Sequence, residues 1–128
     1  MKYLPTILST LLGVMFIFFS SVVLFHLMKM PPPPPGPQSD YFAVMAPSGY
    51  FTFVKVMEFT GGILLLIPLL RNIGLLIIGP IIVNIVAFHV FIAQNAGSDI
   101  PMWIVVVLGL AVLISEHRAF RHLVTRPR

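Results

Sequence analysis

The chain has 128 residues, the length of one domain; 58% of them are hydrophobic and 9% charged, against about 25% charged in a soluble domain, so the bilayer rather than water is its natural solvent. The net charge of +4 stands at the ends of apolar runs, with Lys2 before the first, Arg71 in a tight connection and Arg118, Arg121, Arg126 and Arg128 after the last; this is the positive-inside distribution rather than a basic groove, and it excludes a nucleic-acid partner. The chain holds no cysteine, which excludes disulfides, thiol redox chemistry and cysteine-ligated iron–sulfur clusters within it; an electron-transfer role would need an organic cofactor, a haem or a partner subunit.

The first apolar run, about Leu4 to Met28, is too long for a signal-peptide core, and no small-x-small cleavage site follows it, so it reads as a retained membrane-spanning helix. A loop over 29–49 comes next. Pro31 to Pro35, Gly36 and Pro37 read as an extended polyproline II spacer, and Ser39 and Asp40 as caps of a short interfacial helix from Tyr41 to Met45, ended by Pro47, Ser48 and Gly49. The second run is about 50–70 and the third about 73–92, with only Arg71 and Asn72 between them, which makes the two antiparallel neighbours. Gly79 and Pro80 lie inside the third run; Pro80 cannot donate to the carbonyl of Leu76, so a kink is expected there. After a polar loop from Gln94 to Asp99, the fourth run covers about 100–115, with Asp99 as its N-cap and Trp103 as an interface anchor. The tail, 116–128, reads as a basic helix on anionic lipid or a solvated segment. The fold expected is all-α: a four-transmembrane-helix bundle with both termini cytoplasmic and a proline-rich extracytoplasmic first loop, in one domain over 1–128.

Ionisable residues inside such spans are costly and carry the functional signal. They are Lys55 and Glu58 on the second span and His89 on the third, with the amide of Asn84 beside it and His26 near the end of the first. At 1.5 Å per residue Glu58 and Asn84 lie ~12 Å below the outer surface, Lys55 ~7 Å and His89 ~5 Å. All five fall in the outer half, and the cytoplasmic half has no counterpart. Lys55 and Glu58 are three apart and share a face, so they can pair. Gly61 and Gly62, one turn further, allow close helix approach. Asn84 and His89, five apart, are about 140° apart around an ideal helix and cannot share one narrow seam. Such groups can move protons or hold the polar head of a quinone-like ligand. Haem ligation by two histidines is set aside because nothing in the spacing makes them face each other, and a metal at Glu58, His89 and His26 because the spacing matches no ligand motif. The plain structural alternative is an ion pair and an amide that only hold helices together.

The second span, Lys55-Val56-Met57-Glu58-Phe59-Thr60-Gly61-Gly62 followed by Leu-rich sequence and Arg71, resembles the DoxX and DoxX-like membrane proteins. In that family a glutamate followed by a glycine pair marks the second helix, and a Phe-His pair, here Phe88-His89, ends the third; Gly79 between them also matches. The resemblance covers most of the chain in hydropathy and order, with its specific part from Lys55 to His89. It implies a four-helix bundle of bacterial inner membranes, in which Glu58, Gly61, Gly62 and His89 correspond. Some members resemble subunits of a thiosulfate:quinone oxidoreductase, others belong with membrane-bound oxidative-stress complexes, and most have no assigned activity. The proline run 31–37 departs from the family loop, and without cysteines no sulfur relay transfers. Three functions follow as expectations: a quinone-linked or redox-complex subunit with membrane or redox partners, a small-solute or proton carrier needing a homo-oligomer for a pore, and an assembly protein without ligand.

Overall fold

A computed structural model describes residues 3–29 and 31–125, the Val124 side chain excepted; Lys2, Arg126 and Arg128 lie outside the described residues. These form six α-helices, a 3-10 turn and a π-helical segment, and no strand is found among them. Helix α1 is Leu4–Leu24, with Pro5 in the first turn, where a missing N–H costs nothing. It stops four residues short of the expected Met28. His26 turns into the left-handed region at φ 53°, and Leu27 N–H donates back to the Val22 carbonyl at 3.1 Å. That is the Schellman pattern, with a histidine in the place glycine usually takes.

Helix α2, Pro37–Ser48, is longer than the expected 41–45 segment. Pro37 is not part of a polyproline spacer but opens the helix, its fixed φ being suited to a first turn. Residues 31–34 carry no regular structure, and a turn at 35–36 precedes α2. Ser39 and Asp40 lie within the first turn rather than capping it, and no side chain caps the helix. Gly49, at φ 84°, ends α2 and precedes α3, Tyr50–Leu66. The two helices meet at 82°. Helix α3 stops before the expected Leu70 because Pro68 forces Ile67 to extended backbone (φ −99°, ψ 110°). A 3-10 turn, Pro68–Leu70, leads directly into α4, Arg71–Ala87.

Helix α4 continues through Gly79 and Pro80, and its irregular segment comes later, at the π-helical turn Phe88–Ile92. Helix α5 is Ile100–Ser115, capped as expected by Asp99, whose Oδ1 accepts from Met102 N–H at 3.1 Å. Helix α6, His117–Val124, turns 80° away from α5. Two stretches, Leu4–Leu24 and Pro68–Ile92, are long and apolar enough to cross a membrane, and up to four are if each bent pair, α2 with α3 and α5 with α6, counts as one span.

The core draws Leu12 and Phe16 from α1, Leu65 from α3, Leu75 and Ile78 from α4, and Val105 and Val112 from α5. Helix α3 sits between α1 and α4, and small residues set both spacings. A Cβ on Gly13 would stand 2.6 Å from the Gly62 carbonyl, and one on Gly61 2.6 Å from Ile78. On the α4 side, Gly74 is confined less severely, a Cβ there standing 3.0 Å from Leu65 N and 3.1 Å from the Gly61 carbonyl. Ser9 Oγ donates to the Leu65 carbonyl at 2.6 Å, tying α1 to α3. Gly61 and Gly62 thus pack helices as expected. Gly79 does not, since nothing lies within 4 Å of a Cβ built there. It lines instead a cleft of about 420 Å³ between α4 and α5.

Candidate functional site

The four longer helices alternate in direction, so the chemistry-bearing residues collect at two ends of the bundle. The α2 end holds most of the residues singled out in the sequence, but in separate groups. On α3, Lys55 Nζ lies 3.0 Å from Glu58 Oε2. Glu58 is buried, with 3% of its surface exposed, while the Lys55 ammonium also lies 5.2 Å from the centre of the Phe51 ring. A buried carboxylate is tolerable because the cation one turn away neutralises it.

The second group stands on the π-helical turn. His89 Nε2 is 3.1 Å from Asp99 Oδ2, and its Nδ1 is 2.7 Å from Asn95 Oδ1. An imidazolium donates to both oxygens; a neutral ring donates to one, and needs the Asn95 amide turned so that its nitrogen faces the ring. Asp99 therefore has two duties, one oxygen capping α5 and the other on His89. His89 stands in the π-helical turn, which leads directly into the 93–99 loop. Trp103 Nε1 donates to the Ala96 carbonyl at 2.6 Å, pinning the same loop.

A row of aromatic rings joins the two groups. Phe51 contacts Phe42 of α2 (centroids 5.3 Å apart), Phe42 contacts Phe88 (5.7 Å), and Phe88 contacts His89 (5.3 Å). Tyr41 packs on Phe88 at 4.8 Å. Its partial burial raises the phenol above the ordinary value of 10.0, with Tyr50 adding to the rise. Helix α2 lays its aromatic side over the end of the bundle, with the two ionic groups at the ends of the ring row.

Two expected members do not join this arrangement. Asn84 is exposed on α4. His26 is exposed, and its place is set by the backbone turn that ends α1. The five residues therefore do not converge on one point. Among the described residues no three His, Asp or Glu side chains come together as metal ligands.

The α6 end overturns a second expectation, that only the other half of the bundle is polar. Arg71 is 7% exposed. It donates from Nη1 to Glu116 Oε1 at 2.8 Å and from Nη2 to Thr6 Oγ1 at 2.9 Å, joining α4, the α5–α6 junction and α1. In sequence Arg71 reads as an orientation signal and Glu116 as the start of a tail; their partnership, 45 residues apart, has no local signature. Among the described residues Arg71 Nε and Asn72 Oδ1 are buried without a hydrogen-bond partner.

Against this geometry, comparison with protein-family models, with curated proteins and with solved structures finds no match.

Proposed function

We propose that the chain is a four-span, DoxX-like protein of a bacterial inner membrane, with both termini cytoplasmic, and that it serves as a quinone-linked subunit of a redox or oxidative-stress complex. The spans are α1, α3, α4 with its π-helical turn, and α5. Helices α3 and α5, with 17 and 16 residues, reach only ~24–26 Å at 1.5 Å per residue. Spans this short are accommodated by local thinning of the bilayer and by snorkelling of flanking residues, with α2 and α6 bent away at their ends by 82° and 80°. Arg71, Arg118 and Arg121 fall at the α6 end, which the positive-inside rule makes cytoplasmic.

The observation that carries the ligand reading is the aromatic row from Phe51 to His89, bounded by Lys55–Glu58 at one end and His89–Asp99 at the other. Flat rings bind between aromatic faces, and an ammonium or imidazole N–H at the rim can donate to a ring carbonyl oxygen. The α4–α5 cleft begins one turn below His89, at Val86, and is lined by Ile82, Val83, Val106 and Leu110. Its apolar walls suit an isoprenoid tail.

The test is to extract the purified protein for quinones and to titrate a short-tailed quinone onto it in detergent. Bound quinone is expected in the native chain, weakened at least tenfold by His89→Ala and by Phe88→Ala. A native chain that neither carries nor binds quinone would overturn the reading. The carrier alternative predicts solute flux into vesicles that Lys55→Ala abolishes.

A further inference from the structure

We infer that α6 is a docking surface for the anionic headgroups of the leaflet at its own end of the bundle, held in the membrane plane by the Arg71–Glu116 pair. This rests on the span reading proposed above, but not on the quinone site.

Three observations support it. The first is the division of α6 into two sides. His117, Arg118, Arg121 and His122 are exposed and share one side of the helix, while Ala119, Phe120 and Leu123 share the other. Phe120 packs against the bundle core. Ala119, Phe120 and Leu123 also line, with Asn72, Ile73 and Leu76 of α4, an open groove of about 150 Å³, and Ala119 and Leu123 remain exposed.

The second is direction. The 80° turn between α5 and α6 lays α6 across the bundle axis. A helix that continued α5 would have carried the arginines away from the lipid surface. The turn instead sets the basic side at headgroup level and the apolar side toward the acyl chains.

The third is the lock at the turn. Glu116 is the residue where α5 ends and α6 begins, and Arg71 holds it from α4 while also bonding Thr6 of α1. Arg71 is the basic residue that Glu116 neutralises. Arg118 and Arg121 make no ion pair among the described residues, so their charge is available outward. The chemistry they fit is the phosphate of anionic phospholipid, with which guanidinium groups form paired hydrogen bonds.

The experiment uses the full chain in vesicles of phosphatidylcholine alone and of phosphatidylcholine mixed with phosphatidylglycerol. Alkaline extraction reads membrane residence, and native mass spectrometry after mild detergent release reads which lipid is retained. The expected result is an alkali-resistant protein that retains phosphatidylglycerol over phosphatidylcholine. Arg118→Gln with Arg121→Gln reduces that preference roughly twenty-five-fold, at about fivefold per arginine, and about 0.5 M salt reduces it in the native chain. Arg118→Lys with Arg121→Lys retains most of the preference. A preference that is absent in the native chain, or unchanged in the glutamine variant, overturns the inference while alkali resistance leaves the span reading standing. Protein stripped from both vesicles by alkali overturns both.

Discussion

Arg71 shows how much a single side chain can carry in this protein. From α4 it bonds both Thr6 of α1 and Glu116 at the α5–α6 junction, and it is buried. Arg71→Met would leave Glu116 without its partner, and unfolding in mild detergent is expected to show a loss of about 2–4 kcal/mol. Lys55 and Glu58 present the opposite case, two neighbours on one helix whose charges cancel locally. Glu58→Met alone strands the lysine. Lys55→Met with Glu58→Met removes both charges and is expected to recover most of the lost stability in a double-mutant cycle. The same double variant should still lose quinone affinity if the ion pair serves the ligand, which separates packing from binding. Tyr41 adds a pH effect. Its neutral form is favoured in the folded chain, so its contribution is complete below pH ~10 and declines as pH rises through the raised value. Tyr41→Phe should flatten that alkaline decline.

Among the elements, the glycines separate those that bring helices together from those that leave space. Gly13 and Gly62 face each other across α1 and α3 with a carbonyl 2.6–2.9 Å from where a Cβ would be. Backbone cannot move aside as a flexible side chain can. Gly62→Ala is therefore expected to cost about 1–3 kcal/mol or more in detergent unfolding, whereas Gly79→Ala, with open space around it, should cost almost nothing. Gly49 is needed for a different reason, its φ of 84° at the 82° corner between α2 and α3. Gly49→Ala places a Cβ in the left-handed region at about 1–2 kcal/mol, and circular dichroism should find the helices retained but the melting point lowered. The π-helical turn holds His89 next to the loop that carries its partner Asp99. A regular α-helix through Phe88–Ile92 would present it at another angle.

For the whole molecule, the proposed topology can be tested with unusual ease because the chain has no cysteine. Single cysteines at Ser98 and Thr125 give two reporters on an otherwise unreactive protein. Ser98→Cys is expected to react with an impermeant thiol reagent from the periplasmic side, and Thr125→Cys only after the membrane is opened. The reverse pattern would invert the orientation. The bundle is also uneven at this scale. Helix α3 is gripped on both sides by glycine contacts, while α4 and α5 part around an apolar cleft.

Length, hydropathy and the placement of charge were enough to read an all-helical membrane chain, the extents of its apolar runs to within a few residues, the Asp99 cap, the Lys55–Glu58 pair and the packing role of Gly61 and Gly62. Each of these depends on residues near one another in sequence, where helical spacing decides who meets whom. Other features depend on backbone detail. The stop at Ile67 and the first turn at Pro37 follow from proline chemistry that was legible but read differently, and His26 at a left-handed φ has no reliable local signal. The remaining features were decided by the tertiary structure alone: the Arg71–Glu116–Thr6 cluster, the His89–Asp99 pair across a loop, the aromatic row from α3 through α2 to the π-helical turn, and the failure of His26 to join it. Each joins or separates elements whose relative rotation is set by core and glycine packing, and rotation is what a hydropathy pattern this uniformly apolar cannot encode.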